Sequence, residues 1–123
     1  MANLNPEIKK EWVALLRSGT IKQTTRALCR TDGTCCALGV LVKVLEKDGM
    51  VTIDPEPIAG GKFAIIDKAS GHRGIGNLPN HTRVNIGLCD PDLGMDRSRT
   101  IMMLNDECEH SFKKIANYIE ANL

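Results

Sequence analysis

Six side chains in this sequence are suited to gripping an anion without altering it: Lys22, Gln23, Arg26, Arg73, Asn105 and Asp106. Cationic side chains form charge-assisted hydrogen bonds to phosphate, while amides and carboxylates match the donors and acceptors of a base or sugar. Lys22, Arg26 and Arg30 recur at even spacing, which on a strand puts all three on one face, a row able to hold phosphate groups. A solvated strand face is the plainer reading of that row. Asn105 and Asp106 fall at a helix–helix corner. There Asp106 could accept from a ribose or a base edge, although capping a helix and shaping a turn would also explain both residues.

Chemistry beyond binding finds little support. Gly71-His72-Arg73-Gly74-Ile75-Gly76 could offer backbone N–H groups to an anion, but no P-loop lysine follows it. A hairpin tip, able to act as a lid, is the plainer account. Cys29, Cys35, Cys36, Cys108 and His110 are chemically competent zinc ligands. Yet no Cys-x-x-Cys pair exists and Cys108-x-His110 lacks a partner at zinc spacing, so no metal and no cofactor is expected. There is no Gly-x-Ser-x-Gly elbow and no Cys–His signature. The acid pairs Asp90/Asp92 and Asp106/Glu107 define no acid–base separation across a substrate. No catalytic residue is therefore assigned, and the chain is expected not to be an enzyme.

Composition points to one ordinary globular domain with a modest core. The 123 residues suit one domain over 1–123, with 42% hydrophobic and 25% charged residues, an ordinary folded balance. A formal charge of +1 supplies no field toward DNA or an anionic membrane. Trp12, Phe63, Phe112 and Tyr118 are too few for an RNA-stacking sheet. Five cysteines, an odd number, fit free thiols better than a disulfide framework. Met1 to Pro6 has no basic or apolar leader character, and the longest apolar run, Ala37 to Val42, cannot span a bilayer. The expectation is cytoplasmic, where the sequon Asn80-His81-Thr82 means nothing.

Several elements must position these residues. Asn5, Pro6 and Glu7 open a helix that buries Ile8, Trp12, Leu15 and Leu16 and stops at Gly19. Ile21 to Arg30 reads as a strand and Thr31-Asp32-Gly33-Thr34 as a hairpin turn. Leu38, Leu41, Val42 and Leu45 form the stripe of a central helix. Gly39 weakens that helix, which close approach of another element would offset. Val51 to Ile53 and Lys62 to Asp67 read as strands, Leu78 to Leu88 as a short helix, and Cys89 to Gly94 as a loop. Thr100 to Leu104 reads as a helix capped by Asn105, and Ser111 caps the last one. The order predicts a small single α+β domain with an antiparallel sheet packed against N-terminal, central and C-terminal helices.

Leu16 to Gly19, Lys22-Gln23, Cys35 to Leu41, Leu78-Pro79, Gly87-Leu88, Leu104 to Asp106 and Ser111 to Glu120 run nearly end to end, with a gap over residues 51–77. This set resembles a family of small accessory proteins of tailed bacteriophages. Two departures stand out. Ala37 is inserted after the cysteine pair, and Val84-Asn85-Ile86 stands where relatives often carry a tryptophan. The resemblance implies a phage-encoded protein in the host bacterial cytoplasm, without naming an activity.

Joined to the residue chemistry, it leads to an anti-defence binding protein. Such a protein would sequester a nucleotide-derived immune signal, for example a cyclic nucleotide or an ADP-ribose derivative, without cleaving it. A pocket shared between subunits would suit so small a chain, so a homo-oligomer is expected. Two other classes remain open: a protein-binding inhibitor of a host defence enzyme, and a small nucleotide hydrolase with His72, His81 or His110 as base. Near-neutral charge disfavours nucleic acid as a partner, and no membrane partner is expected.

Overall fold

Asn5 starts the first helix, α1 (Pro6–Ser18): its side-chain oxygen accepts from the N–H of Glu7 at 2.9 Å and of Ile8 at 3.2 Å, with Pro6 in the first turn. The computed structural model describes residues 4–123. The expectation that no secretory leader opens the chain rests in part on Met1 to Asn3, which lie outside the described residues. α1 buries Ile8, Trp12, Val13 and Leu16 and ends at Gly19. The second helix, α2 (Ala37–Lys47), buries Ala37 to Val42, Val44 and Leu45. A helix apolar on nearly every side has to be covered all round. α1, the strand β1 (Val51–Ile53) and α4 (Arg97–Asp106) supply that cover. The last helix, α5 (Phe112–Asn122), is capped by Ser111, whose hydroxyl accepts from the Lys114 N–H at 3.3 Å. It lays Phe112, Ile115, Ala116 and Ile119 inward and packs along α1.

β1 pairs antiparallel with β2 (Ile65–Asp67), and β2 with β3 (Arg73–Gly74), with Val51 opposite Asp67 and Ile65 opposite Gly74. The short helix α3 (Asn80–Asn85) follows. A second ribbon, β4 (Cys89–Asp90) with β5 (Met95–Asp96), folds around a 3₁₀ turn at Pro91–Leu93. This is the expected α+β architecture. No helix among the described residues is long and apolar enough to cross a membrane.

Two glycines mark close backbone approaches. A Cβ on Gly39 would lie 1.8 Å from the Leu28 carbonyl oxygen, so α2 and the segment before it meet there as the sequence requires. A Cβ on Gly74 would lie 2.1 Å from the Asn77 carbonyl oxygen. The glycine-rich stretch is therefore not simply a hairpin tip: it contains β3 and the folded-back chain beyond it.

The structure corrects several local readings. Ile21 to Arg30 is not a strand. Isolated bridges tie Gln23 and Cys29 to Cys35 and Arg30 to Lys62, and between them Arg26 turns into the left-handed region at φ 61°. The even-spaced row of Lys22, Arg26 and Arg30 therefore does not exist. Arg30 folds back instead, donating to the Thr24 hydroxyl at 3.1 Å and to the carbonyls of Thr25 at 3.0 Å and Gly60 at 3.2 Å. α4 starts earlier than Thr100 because the Asp96 side chain accepts from the Ser98 N–H at 3.1 Å. Asn105 lies inside α4 rather than capping it, and the loop read at Cys89 to Gly94 begins with β4. The helix within Leu78 to Leu88 spans only α3.

Candidate functional site

Asn105 is buried and all of its amide is used. Its oxygen accepts from the Gln23 side chain at 2.9 Å and from the Ala37 N–H at 3.1 Å. Its nitrogen donates to the Thr24 carbonyl at 2.9 Å and to the Asp106 carboxylate at 2.8 Å. Gln23 donates its second N–H to the His110 carbonyl at 2.8 Å. Asp106 also accepts from the Arg26 backbone N–H at 3.1 Å. The Ala37 carbonyl receives the buried Trp12 indole N–H at 2.9 Å, so Ala37 links α1, α2 and α4 through its own backbone. Buried polar groups must be partnered, and this network satisfies them with side chains from both ends of the chain.

The same residues wall a cleft of about 450 Å³, lined by Gln23, Thr24, Thr25, Asn105 and Glu109. Both Gln23 N–H donors are engaged within the protein, as is the whole Asn105 amide. Left for a ligand are the Gln23 side-chain oxygen, the Thr25 hydroxyl and the Glu109 carboxylate, the Thr24 hydroxyl being taken by Arg30. Such groups favour a partner that presents O–H or N–H donors. Lys22 and Arg26 directly flank the lining residues 23–25; both are exposed and neither enters an ion pair among the described residues.

Of the six sequence-nominated residues, Gln23 and Asn105 are in the wall and Asp106 is bonded behind it, while Lys22 and Arg26 are exposed neighbours in sequence of the lining segment and do not themselves line it. Arg73 does not line it either. It sits on β3 and pairs with Asp54 at 3.1 Å. Thr24, Thr25 and Glu109 were missed. The paired threonines read as strand formers, and nothing around Glu109 marks its left-handed turn at φ 52°.

A family model described as a domain of unknown function (DUF8296) matches residues 4–123. The chain belongs to that family. No curated protein and no solved structure matches it.

Elsewhere the DUF8296 fold holds two polar clusters. Asp67, nearly fully buried, accepts from the Ser70 hydroxyl at 2.8 Å and the Ala69 N–H at 3.3 Å and pairs with Nδ1 of half-exposed His81. Burial opposes ionisation of this carboxyl, but the Ser70 and His81 hydrogen bonds outweigh it and hold the group below its ordinary value. The pair ties α3 to the β2–β3 turn, and neither residue lines any of the clefts described here. Arg83 donates to Asp96 at 2.6 Å and to the Leu78 carbonyl at 3.1 Å, fixing α3 to the start of α4. Two further grooves of about 350 and 380 Å³ run beside α1. Val13 and Ala14 line the first, and Ala14, Leu15 and Val44 the second; exposed lysines lie at both, and no buried polar set converges there.

Proposed function

We propose that this DUF8296 protein is a non-catalytic binding protein that takes up a nucleotide-derived small molecule at the Gln23–Asn105 cleft. The observation that carries the reading is the meeting of Gln23 and Asn105, 82 positions apart, in a cleft whose lining segment 23–25 lies in sequence between Lys22 and Arg26, neither of them ion-paired among the described residues. A nucleotide complements both parts. Its ribose or base offers donors to Gln23, Thr25 and Glu109, and its phosphate pairs with Lys22 and Arg26. The Glu109 carboxylate in the lining disfavours a bare anion there, so the phosphate belongs beside the cleft, toward Lys22 and Arg26. The resemblance to phage accessory proteins supplies the setting: sequestration of an immune signal in an infected host. A second copy closing the open cleft would complete the enclosure.

The test incubates the protein with cyclic nucleotides and ADP-ribose derivatives and follows them by HPLC. Uptake of at least one compound, released intact by heating, is the expected result. Arg26→Ala should weaken that uptake roughly tenfold, the worth of one charge-assisted hydrogen bond. A new product peak would assign the domain to the hydrolases instead. No uptake of any compound would move the reading to a protein-binding inhibitor.

A further inference from the structure

Cys29 and Cys35 face one another directly across an antiparallel bridge. The flanking hydrogen bonds run from the Cys36 N–H to the Leu28 carbonyl at 3.0 Å and from the Arg30 N–H to the Thr34 carbonyl at 2.9 Å. This places the two cysteines at a non-hydrogen-bonded position, where opposed Cα atoms lie about 4.5 Å apart. That spacing falls inside the window in which a disulfide closes without moving the backbone, about 4.4–6.8 Å. The two Sγ atoms are 2.8 Å apart, nearer than unbonded sulfurs normally sit. Cys36, next in sequence, is bridged to neither.

We propose that Cys29 and Cys35 form a reversible dithiol–disulfide site, oxidised by hydrogen peroxide. The Cys35 thiolate attacks one peroxide oxygen, the O–O bond breaks, and the departing hydroxide takes a proton to leave as water. Cys35 is then a sulfenic acid. The Cys29 sulfur attacks the Cys35 sulfur, the S–O bond breaks, and hydroxide leaves with the Cys29 proton as a second water. Two thiols and one peroxide thus give one disulfide and two waters, with the sulfurs oxidised by two electrons in total.

The order of attack follows from acidity. The hydrogen bond between the two sulfurs lowers the Cys35 thiol below its ordinary value and raises Cys29. Burial pushes Cys36 up to about 11, which keeps it a thiol. Both paired sulfurs are buried, so peroxide enters where the exposed turn Thr31-Asp32-Gly33 opens locally. The site bears on the cleft because the Cys35 backbone holds the cleft segment: its N–H donates to Lys22 at 3.0 Å and its carbonyl accepts from Thr24 at 2.9 Å. The inference does not depend on what the cleft binds.

The full chain carrying Cys108→Ser, which removes the exposed thiol, is treated with hydrogen peroxide while folded, then alkylated and digested with trypsin. The expected result is an intact mass lower by two hydrogens. The peptide containing Cys29 should be linked to the one containing Cys35 and Cys36, with fragmentation placing the link on Cys35. Dithiothreitol should restore the mass. Cys36→Ser, which puts a good capping residue before α2, should keep the link, and Cys35→Ser should lose it. A link through Cys36 or Cys89, a link between two chains, or oxygen added to the buried thiols without any link would each overturn the proposal. So would a folded protein that keeps its mass under conditions that oxidise Cys108 in the unsubstituted chain.

Discussion

Replacing Gly39 by alanine tests the tightest approach in the core. On an isolated helix the change is favourable by about 1 kcal/mol. Here the new Cβ would meet the Leu28 carbonyl oxygen at 1.8 Å, its carbon at 2.7 Å and the Cys35 Cβ at 2.9 Å. Unbonded carbon and oxygen approach to about 3.3 Å, so the 28–35 segment would have to retreat from α2 by about 1.5 Å. No flexible side-chain end is available to absorb this, because the obstacles are backbone and the Cβ of a buried residue. Overpacking of this kind costs about 1–3 kcal/mol. Weakening the hydrogen bond from the Cys36 N–H to the Leu28 carbonyl adds about 1 kcal/mol. Subtracting the helix gain leaves a net loss of about 2 kcal/mol. For a chain of this length that lowers Tm by about 8 °C. Urea unfolding followed by the emission of Trp12, the one tryptophan and fully buried, should show an earlier midpoint at unchanged slope. A midpoint equal to or later than that of the parent chain would refute the reasoning. It would mean that the segment carrying the cleft wall is not seated against α2.

Asn105→Ala strands the buried Ala37 N–H and the Thr24 carbonyl, and should cost about 2–4 kcal/mol in the same urea assay; a loss near zero would show that water replaces the amide. The folded-state pKa of Asp67 lies below its unfolded value, so its contribution is present above about pH 4 and disappears as pH falls through the folded pKa. Tm measured from pH 6 to pH 2 should therefore drop more steeply for the parent chain than for Asp67→Asn, and parallel curves would contradict this. Arg26→Gly removes a left-handed non-glycine residue and should raise stability by up to about 1 kcal/mol while weakening nucleotide uptake. An earlier urea midpoint for that variant would count against strain at Arg26.

Elements defined by local signals were legible in the sequence. Asn5 and Ser111 cap helices where capping chemistry places them, because an orphan N–H two or three residues on needs an acceptor. Gly39 announced a close approach because nothing else excuses a glycine in the middle of an apolar helix. The segment 21–30 misled because paired threonines favour extended chain, and only contacts remote in sequence say otherwise. Its backbone partners include Cys35, Lys62 and Phe63, the Asp106 side chain holds the Arg26 N–H, and the Arg30 side chain reaches the Gly60 carbonyl. Asn105 misled for the same reason. A corner asparagine reads as a cap until Gln23, Thr24 and Ala37 are brought to it.

Arg26 and Glu109 are the two non-glycine residues with positive φ among the described residues; Glu109 lines the cleft and Arg26 follows its lining segment 23–25 in sequence. A left-handed conformation costs an ordinary residue about 1–2 kcal/mol and persists only where its surroundings over-determine it. Here they do. The Arg26 N–H is held by Asp106, and the chain around Glu109 is held by the Gln23 contact to the His110 carbonyl and by the His110 N–H donating to Leu104 at 2.9 Å. Glycine would make either turn without strain, so turning the chain does not by itself require these side chains. What they add is a cation next in sequence to the lining segment and a carboxylate in the lining itself, on a wall whose amides are already locked. A wall arranged in that way loses little conformational freedom when a ligand arrives, and low reorganisation favours tight binding.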